Sequence, residues 1–132
     1  MHKDLYNNCK TVLSLATVAL ASDADTNGII IDTDNFESGK VSLITGAYTA
    51  GNIVISAINE SDDSGMAGAT AIPAERLIGT ATAVSVTNTV DELGFVSTKR
   101  YVQVVYTTAD TADLTATSTV ELGDPSSADI RS

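Results

Sequence analysis

Residues 114–122 carry the cleanest hydrophobic pattern in the chain. Leu114, Ala116, Ser118, Val120 and Leu122 fall on one side, and the threonines and Glu121 fall on the other. A period of two marks a half-buried strand, because successive side chains of an extended chain point to opposite faces. Residues 100–107 repeat the pattern, with Val102, Val104 and Tyr106 opposed to Tyr101, Gln103, Val105 and Thr107. Residues 40–45 set Val41 and Leu43 against Ser42, and residues 80–87 set Thr82, Val84 and Val86 against Ala81, Ala83 and Ser85. Residues 52–60 alternate imperfectly and are rich in apolar side chains, which predicts a central strand covered on both faces. Short strands are also expected at 29–32, 75–78 and 93–96.

Clusters of Gly, Asp, Asn and Ser separate these runs at 22–28, 35–39, 46–51, 61–65, 88–92 and 108–113, and each predicts a change of direction. Pro73 has no amide donor and ends any ladder at that point. The count is seven or eight short strands, each with one apolar face that a second layer must cover. The predicted fold is therefore all-β: an antiparallel β-sandwich, jelly-roll-like or Ig-like, with an N-terminal arm or short helix. The expected organisation is an arm and linker at 1–27, the sandwich at 28–123 and a polar tail at 124–132.

The N-terminal part supports two conformations. Leu5, Val12, Leu15, Ala16, Ala19 and Leu20 recur at spacings near three and four, as in a short helix, and the same residues suit an extended arm lying along the domain or a neighbour. Ala19-Leu20-Ala21 after an apolar stretch has the look of a leader cleavage site. Asp4, Asn7-Asn8 and Lys10 interrupt that pattern, so a retained arm is expected. The stretch falls short of the roughly twenty apolar residues a membrane helix needs.

Composition reinforces the sheet reading. Of 132 residues, 43% are hydrophobic, yet Trp is absent and there are only two Phe and four Tyr, so the core is built from small and β-branched side chains. The net charge of −10 repels a phosphate polyanion, and Lys99-Arg100 is the only adjacent basic pair, so neither nucleic acid nor membrane is an expected partner. The same acidity suits docking onto a basic protein surface.

Residues able to do chemistry are few. The single histidine, His2, sits beside the terminus, and the single cysteine, Cys9, has no histidine partner and no glycine-rich elbow, so no catalytic set is expected. Asp23/Asp25, Asp32/Asp34 and Asp62/Asp63 pair carboxylates at turns. Asp23-x-Asp25-x-Asn27-Gly28 begins like a calcium loop, but its twelfth position is Asp34 and its seventh and ninth are Ile29 and Ile31. Solvated turn carboxylates, with no metal and no cofactor, are the expectation. Lys99 and Arg100 are expected to pair with Glu60, Asp91 or Glu92, or to join a subunit contact.

Three stretches together carry a family resemblance: residues 3–8 (Lys-Asp-Leu-Tyr-Asn-Asn), residues 59–65 (Asn-Glu-Ser-Asp-Asp-Ser-Gly) and residues 93–104 (Leu-Gly-Phe-Val-Ser-Thr-Lys-Arg-Tyr-Val-Gln-Val). The sequence resembles small proteins found beside the major capsid proteins of tailed bacteriophages. That resemblance implies an N-terminal arm before a β-rich domain and a role as a capsid decoration, cement or other minor virion protein. It further implies the major capsid protein as partner, homo-oligomerisation and a place on the capsid exterior. It carries over no binding residue. From the local reading, the expected capsid or subunit contacts are Leu5, Tyr6, Val12, Leu15, Lys99 and Arg100. A carbohydrate- or surface-binding sandwich is the competing expectation, and it would need a groove lined by Tyr48, Tyr101 or Tyr106.

Overall fold

A computed structural model describes residues 9–34 and 36–125. Its strands are β1 (Lys10–Leu20), β2 (Asp25–Asn27), β3 (Ile31–Asp32), β4 (Phe36–Ser61), β5 (Thr70–Ala71), β6 (Leu77–Ile78), β7 (Val90–Val96) and β8 (Tyr101–Pro125), with one 3-10 turn at Ala74–Arg76. All pairings are antiparallel, and the described residues contain no α-helix. The all-β sandwich expected from the sequence is the fold observed.

The sandwich is one sheet folded on itself. Strands β4 and β8, of 26 and 25 residues, pair along nearly their whole length, and β1, β7 and β6 extend the sheet in the order β1-β8-β4-β7-β6. Strands β2 and β3 add to the first half of β8, and β5 adds to the end of β4. Tyr106 Oη lies 2.7 Å from Ser118 Oγ, although the two residues are 12 positions apart on one strand. In a straight strand that separation is about 40 Å at roughly 3.3 Å per residue, so β8 must double over between them.

The bend falls where the ladder becomes irregular. Register shifts separate Thr45, Tyr48, Ala50 and Asn52, and on β8 Asp110 and Thr111 both have positive φ. Gly51, at φ +78°, faces them, and a Cβ there would lie 2.5 Å from Ala109 O and Ala112 Cα. Only glycine fits so close to backbone in that conformation. Residues 46–51 and 108–113, expected to end strands, are thus opposing parts of one corner through which both strands continue.

The interior follows the alternation. Val102, Val104, Tyr106, Leu114, Ala116, Ser118, Val120 and Leu122 of β8 are all buried, and they meet Val41, Leu43, Ile53, Ile55 and Ile58 of β4. The imperfect pattern of residues 52–60 has a cause: a register shift between Ile55 and Ala57 inserts a bulge, which brings both Ile55 and Ile58 inward. Ser56 stays exposed, so this strand is covered on one face and not on both. Residues 80–87 alternate in sequence but form only an isolated bridge between Val84 and Ile53, and Val86 is exposed. Alternation without a neighbouring strand to pair with does not make a ladder.

The helical expectation for the N-terminal part is corrected over the described residues. Lys10–Leu20 is extended and pairs with β8 from Lys10 opposite Leu122 to Leu20 opposite Leu114. Four of its residues are Thr or Val, types that suit a strand, and β8 offers a free edge with a matching apolar face.

Candidate functional site

β1 places the expected contact residues unevenly. Shifts between Leu13 and Leu15 and between Leu15 and Val18 turn the consecutive residues Ser14 and Leu15 both inward. Leu15 is therefore part of the core, and Val12 is half-buried against it. Leu13 is the large apolar side chain that β1 presents outward, at 46% exposure. The Ser14 carbonyl accepts the Ile29 amide at 2.6 Å, which ties the backbone before exposed Ile30 to the residue after Leu13, and Ile29 is exposed as well. Gly28 makes this crossing possible, because a Cβ there would stand 2.8 Å from Ser14 O. Leu5 and Tyr6 lie outside the described residues.

Ser14 also serves the interior. Tyr106 Oη lies 2.8 Å from Ser14 Oγ and 2.7 Å from Ser118 Oγ, and all three residues are fully buried. The phenol thus meets a hydroxyl on each side across the two layers, and burial pushes its pKa up. A buried hydroxyl without such partners would be costly.

Lys99 and Arg100 occupy the connection from β7 to β8. The structure pairs them with Asp62 at 3.3 Å and with Asp32 at 2.9 Å, not with Glu60, Asp91 or Glu92. Arg100 makes two bonds to the Asp32 carboxylate, has Asp34 at 3.8 Å and stacks 5.3 Å over the Tyr101 ring. The Arg100 hydrogen bond holds the Asp32 carboxyl below its usual range. Thr33 Oγ1 donates to the Arg100 carbonyl at 2.6 Å, so the connection is tied to β3. These groups are about half exposed, and such pairs hold loosely in water.

Glu60 is different, being only 2% exposed. Its carboxylate accepts both terminal nitrogens of Arg76, at 3.0 and 2.6 Å, and the amide of Thr98 at 3.2 Å, with Ser97 Oγ at 3.3 Å. The Arg76 bond, opposed by burial, keeps Glu60 below the ordinary carboxylate range. Sequence reasoning missed this pairing. The available signal was a lone Glu closing an apolar strand, which demands a cation once buried.

The other turn carboxylates accept backbone amides or a hydroxyl. Asp23 accepts the amides of Thr111 and Ala112, Asp25 accepts Thr107 Oγ1, and Asp63 accepts the amides of Gly65 and Ala67. The partial calcium-loop pattern runs through β2, whose Asp25, Thr26 and Asn27 pair with β8 as a strand. Among the described residues, no three His, Cys, Asp or Glu side chains converge as a metal cage. Cys9 is half-buried, and His2 lies outside the described residues. The three tyrosines do not converge either. Tyr106 is sealed inside, Tyr101 lies opposite Ser61 under Arg100, and Tyr48 lies at the corner, opposite Leu114, and donates to the Gly51 carbonyl.

No protein-family model matches the sequence, and no curated protein matches it. Solved structures do share the fold. PBSX exported protein XepA superimposes on 93% of this chain with a TM-score of 0.60 and 15% identity. A structure of infectious bursal disease virus, Gx strain, covers 89% of it with a TM-score of 0.51 and 12% identity. The chain spans 39% and 33% of those two chains. These are weak similarities to phage- and virus-associated proteins, and at such identities what they establish is the fold.

Proposed function

We propose that this chain is a structural virion protein that decorates or cements the capsid of a tailed bacteriophage. It acts by protein–protein contact and not by catalysis, on the capsid exterior, binding the major capsid protein and further copies of itself. The observation that carries this reading is the fold: one small sandwich, similar over most of its length to XepA and to a viral structure. A decoration protein needs a rigid body and a margin able to add to another surface. The margin at β1 supplies the apolar part, with Leu13, Ile29 and Ile30 outward. Lys99 and Arg100 offer a polar contact at the end of the sandwich, and the net charge of −10 favours a basic partner surface.

The glycan-binding alternative is disfavoured by Tyr106, whose hydroxyl is consumed by two serines inside the core. Sugar recognition would need its ring on a surface.

The test is occupancy on particles assembled without the chain and then supplied with it. Full-length protein, protein lacking residues 1–8 and a Leu13→Asp/Ile29→Asp double variant are compared. Deletion through Leu20 is unsuitable, because it removes a strand of the sheet. Saturable binding by the full chain and reduced occupancy by both altered forms are expected. No binding of the full chain to any such particle refutes the reading.

A further inference from the structure

Residues 73–81 cross the open margin between the two layers with little main-chain support. Their only ladder is β6, which pairs Leu77 with Phe95 and Ile78 with Gly94. On the N-terminal side they are anchored at Ile72, which is buried and donates its amide to the Ile58 carbonyl at 2.8 Å. On the C-terminal side stands Gly79 at φ +95°, in open space. Pro73, whose ring fixes φ, stands at one end of the segment, and Gly79, with its positive φ, stands near the other. Beneath the segment is an apolar cleft of about 310 Å³, with Ile55 and Ile58 of β4 on one wall, Leu93 of β7 on the other, and Ala74, Leu77 and Ala81 of the crossing segment as its roof.

One side chain fastens this roof to the body. Arg76 reaches from the 3-10 turn to the buried Glu60 carboxylate through both terminal nitrogens, and Nη1 also donates to the Val96 carbonyl and lies 3.2 Å from Thr98 Oγ1. It thereby joins the roof to the end of β4 and to the connection between β7 and β8. Ile78, the most prominent apolar side chain of the segment, is 64% exposed and contributes little burial.

We propose that residues 73–81 form a latched strap, with Arg76 on Glu60 as the latch, whose release uncovers the cleft while the β4–β8 body stays folded. Elements with few buried apolar contacts and a short ladder open locally at lower free energy than the core. Besides its two-residue ladder and the packing of Leu77 and Ala81 against the core, the strap is held by one charge pair, the part of its support that acid weakens. Acid therefore releases it. Around the Glu60 carboxylate stand Arg76 from the strap and Ser97 and Thr98 from the β7–β8 connection, with Lys99 nearby engaged by Asp62. Arg76 keeps its charge at every relevant pH, so protonation of Glu60 is the step that unfastens the strap. This inference is independent of the virion reading.

Hydrogen exchange on the full chain tests it, comparing wild type with Glu60→Gln and with Arg76→Lys at neutral pH. The amides of Arg76, Leu77 and Ile78 are expected to exchange about ten- to a hundredfold faster in Glu60→Gln, as loss of a charge-assisted pair implies, while those of Val102 to Tyr106 keep the wild-type rate. Arg76→Lys, which keeps the charge but not the fork, is expected to lie between. Wild-type protein taken from neutrality to about pH 2.5, through the carboxylate range, is expected to lose strap protection before β8 protection. Strap amides that stay at the wild-type rate, or strap and β8 amides that accelerate together, overturn the proposal. If the variants fail to fold, the wild-type acid series decides: parallel loss of both regions overturns it, and earlier loss of the strap supports it.

Discussion

Along one margin of the sandwich, β1 contributes 11 residues, eight of them in register with β8, and sends Leu15 into the core. Along the other, β6 contributes two residues, and a buried ion pair between Glu60 and Arg76 does the fastening. The first margin is held by a ladder and apolar burial, which are indifferent to pH. The second rests on a two-residue ladder, partial packing of Leu77 and a charge pair that protonation of Glu60 would weaken. The same chain therefore offers a fixed margin suited to permanent contact and a conditional one suited to opening.

The comparison is broken most severely on the fixed side. Leu15→Ala is expected to destabilise the protein by about 3–4 kcal/mol, the usual size for a buried leucine with its cavity, measured by urea unfolding. A loss under about 1 kcal/mol would mean that β1 is an appendage. Arg76→Ala is expected to cost about 2–3 kcal/mol at neutral pH, because it strands a carboxylate that has almost no access to water. This cost should shrink in acid. The Glu60 pKa is lowered in the folded state, so its contribution is complete above the usual carboxylate range and is lost as the pH falls through the folded value. Urea midpoints of wild type and variant should accordingly converge towards low pH.

Tyr106→Phe is expected to cost about 1–2 kcal/mol, since it leaves two buried serine hydroxyls facing a ring edge without changing the packing volume. Arg100→Ala is expected to leave the urea midpoint nearly unchanged, because its pairs with Asp32 and Asp34 lie in solvent. If Arg100→Ala matched Arg76→Ala, the distinction between a buried latch and a surface pair would fail.

How far the sequence revealed these margins depended on the kind of force involved. The two arms of β8 were legible residue by residue, since burial on one face writes a period of two directly into the chain, from Val102 to Tyr106 and from Leu114 to Leu122. The corner was misread as two turns because Gly51, Asp110 and Thr111 have turn chemistry. That they face each other, and so bend a continuous pair of strands, is a tertiary fact. The bulge at Ser56 and Ala57 hid in the same way, as an apparent excess of apolar residues. For β1, three- and four-residue spacings are shared by a helix and a bulged strand, and only the edge of β8 decides between them. The ion pairs were least legible: Glu60 found Arg76 and not the conspicuous Lys99-Arg100, because charges pair through space and leave no period. The contact residues expected at Val12 and Leu15 proved to face inward, and Leu13, between them, faces out.

The proposed virion role is tested most directly by high-resolution imaging of particles purified from infected cells that make this chain. Density for the folded sandwich on the outer capsid surface, repeated with the lattice and touching it through the β1 margin around Leu13 and Ile29, is the predicted result. A particle of full protein composition that lacks the chain, with the chain recovered only unassembled, would contradict the account.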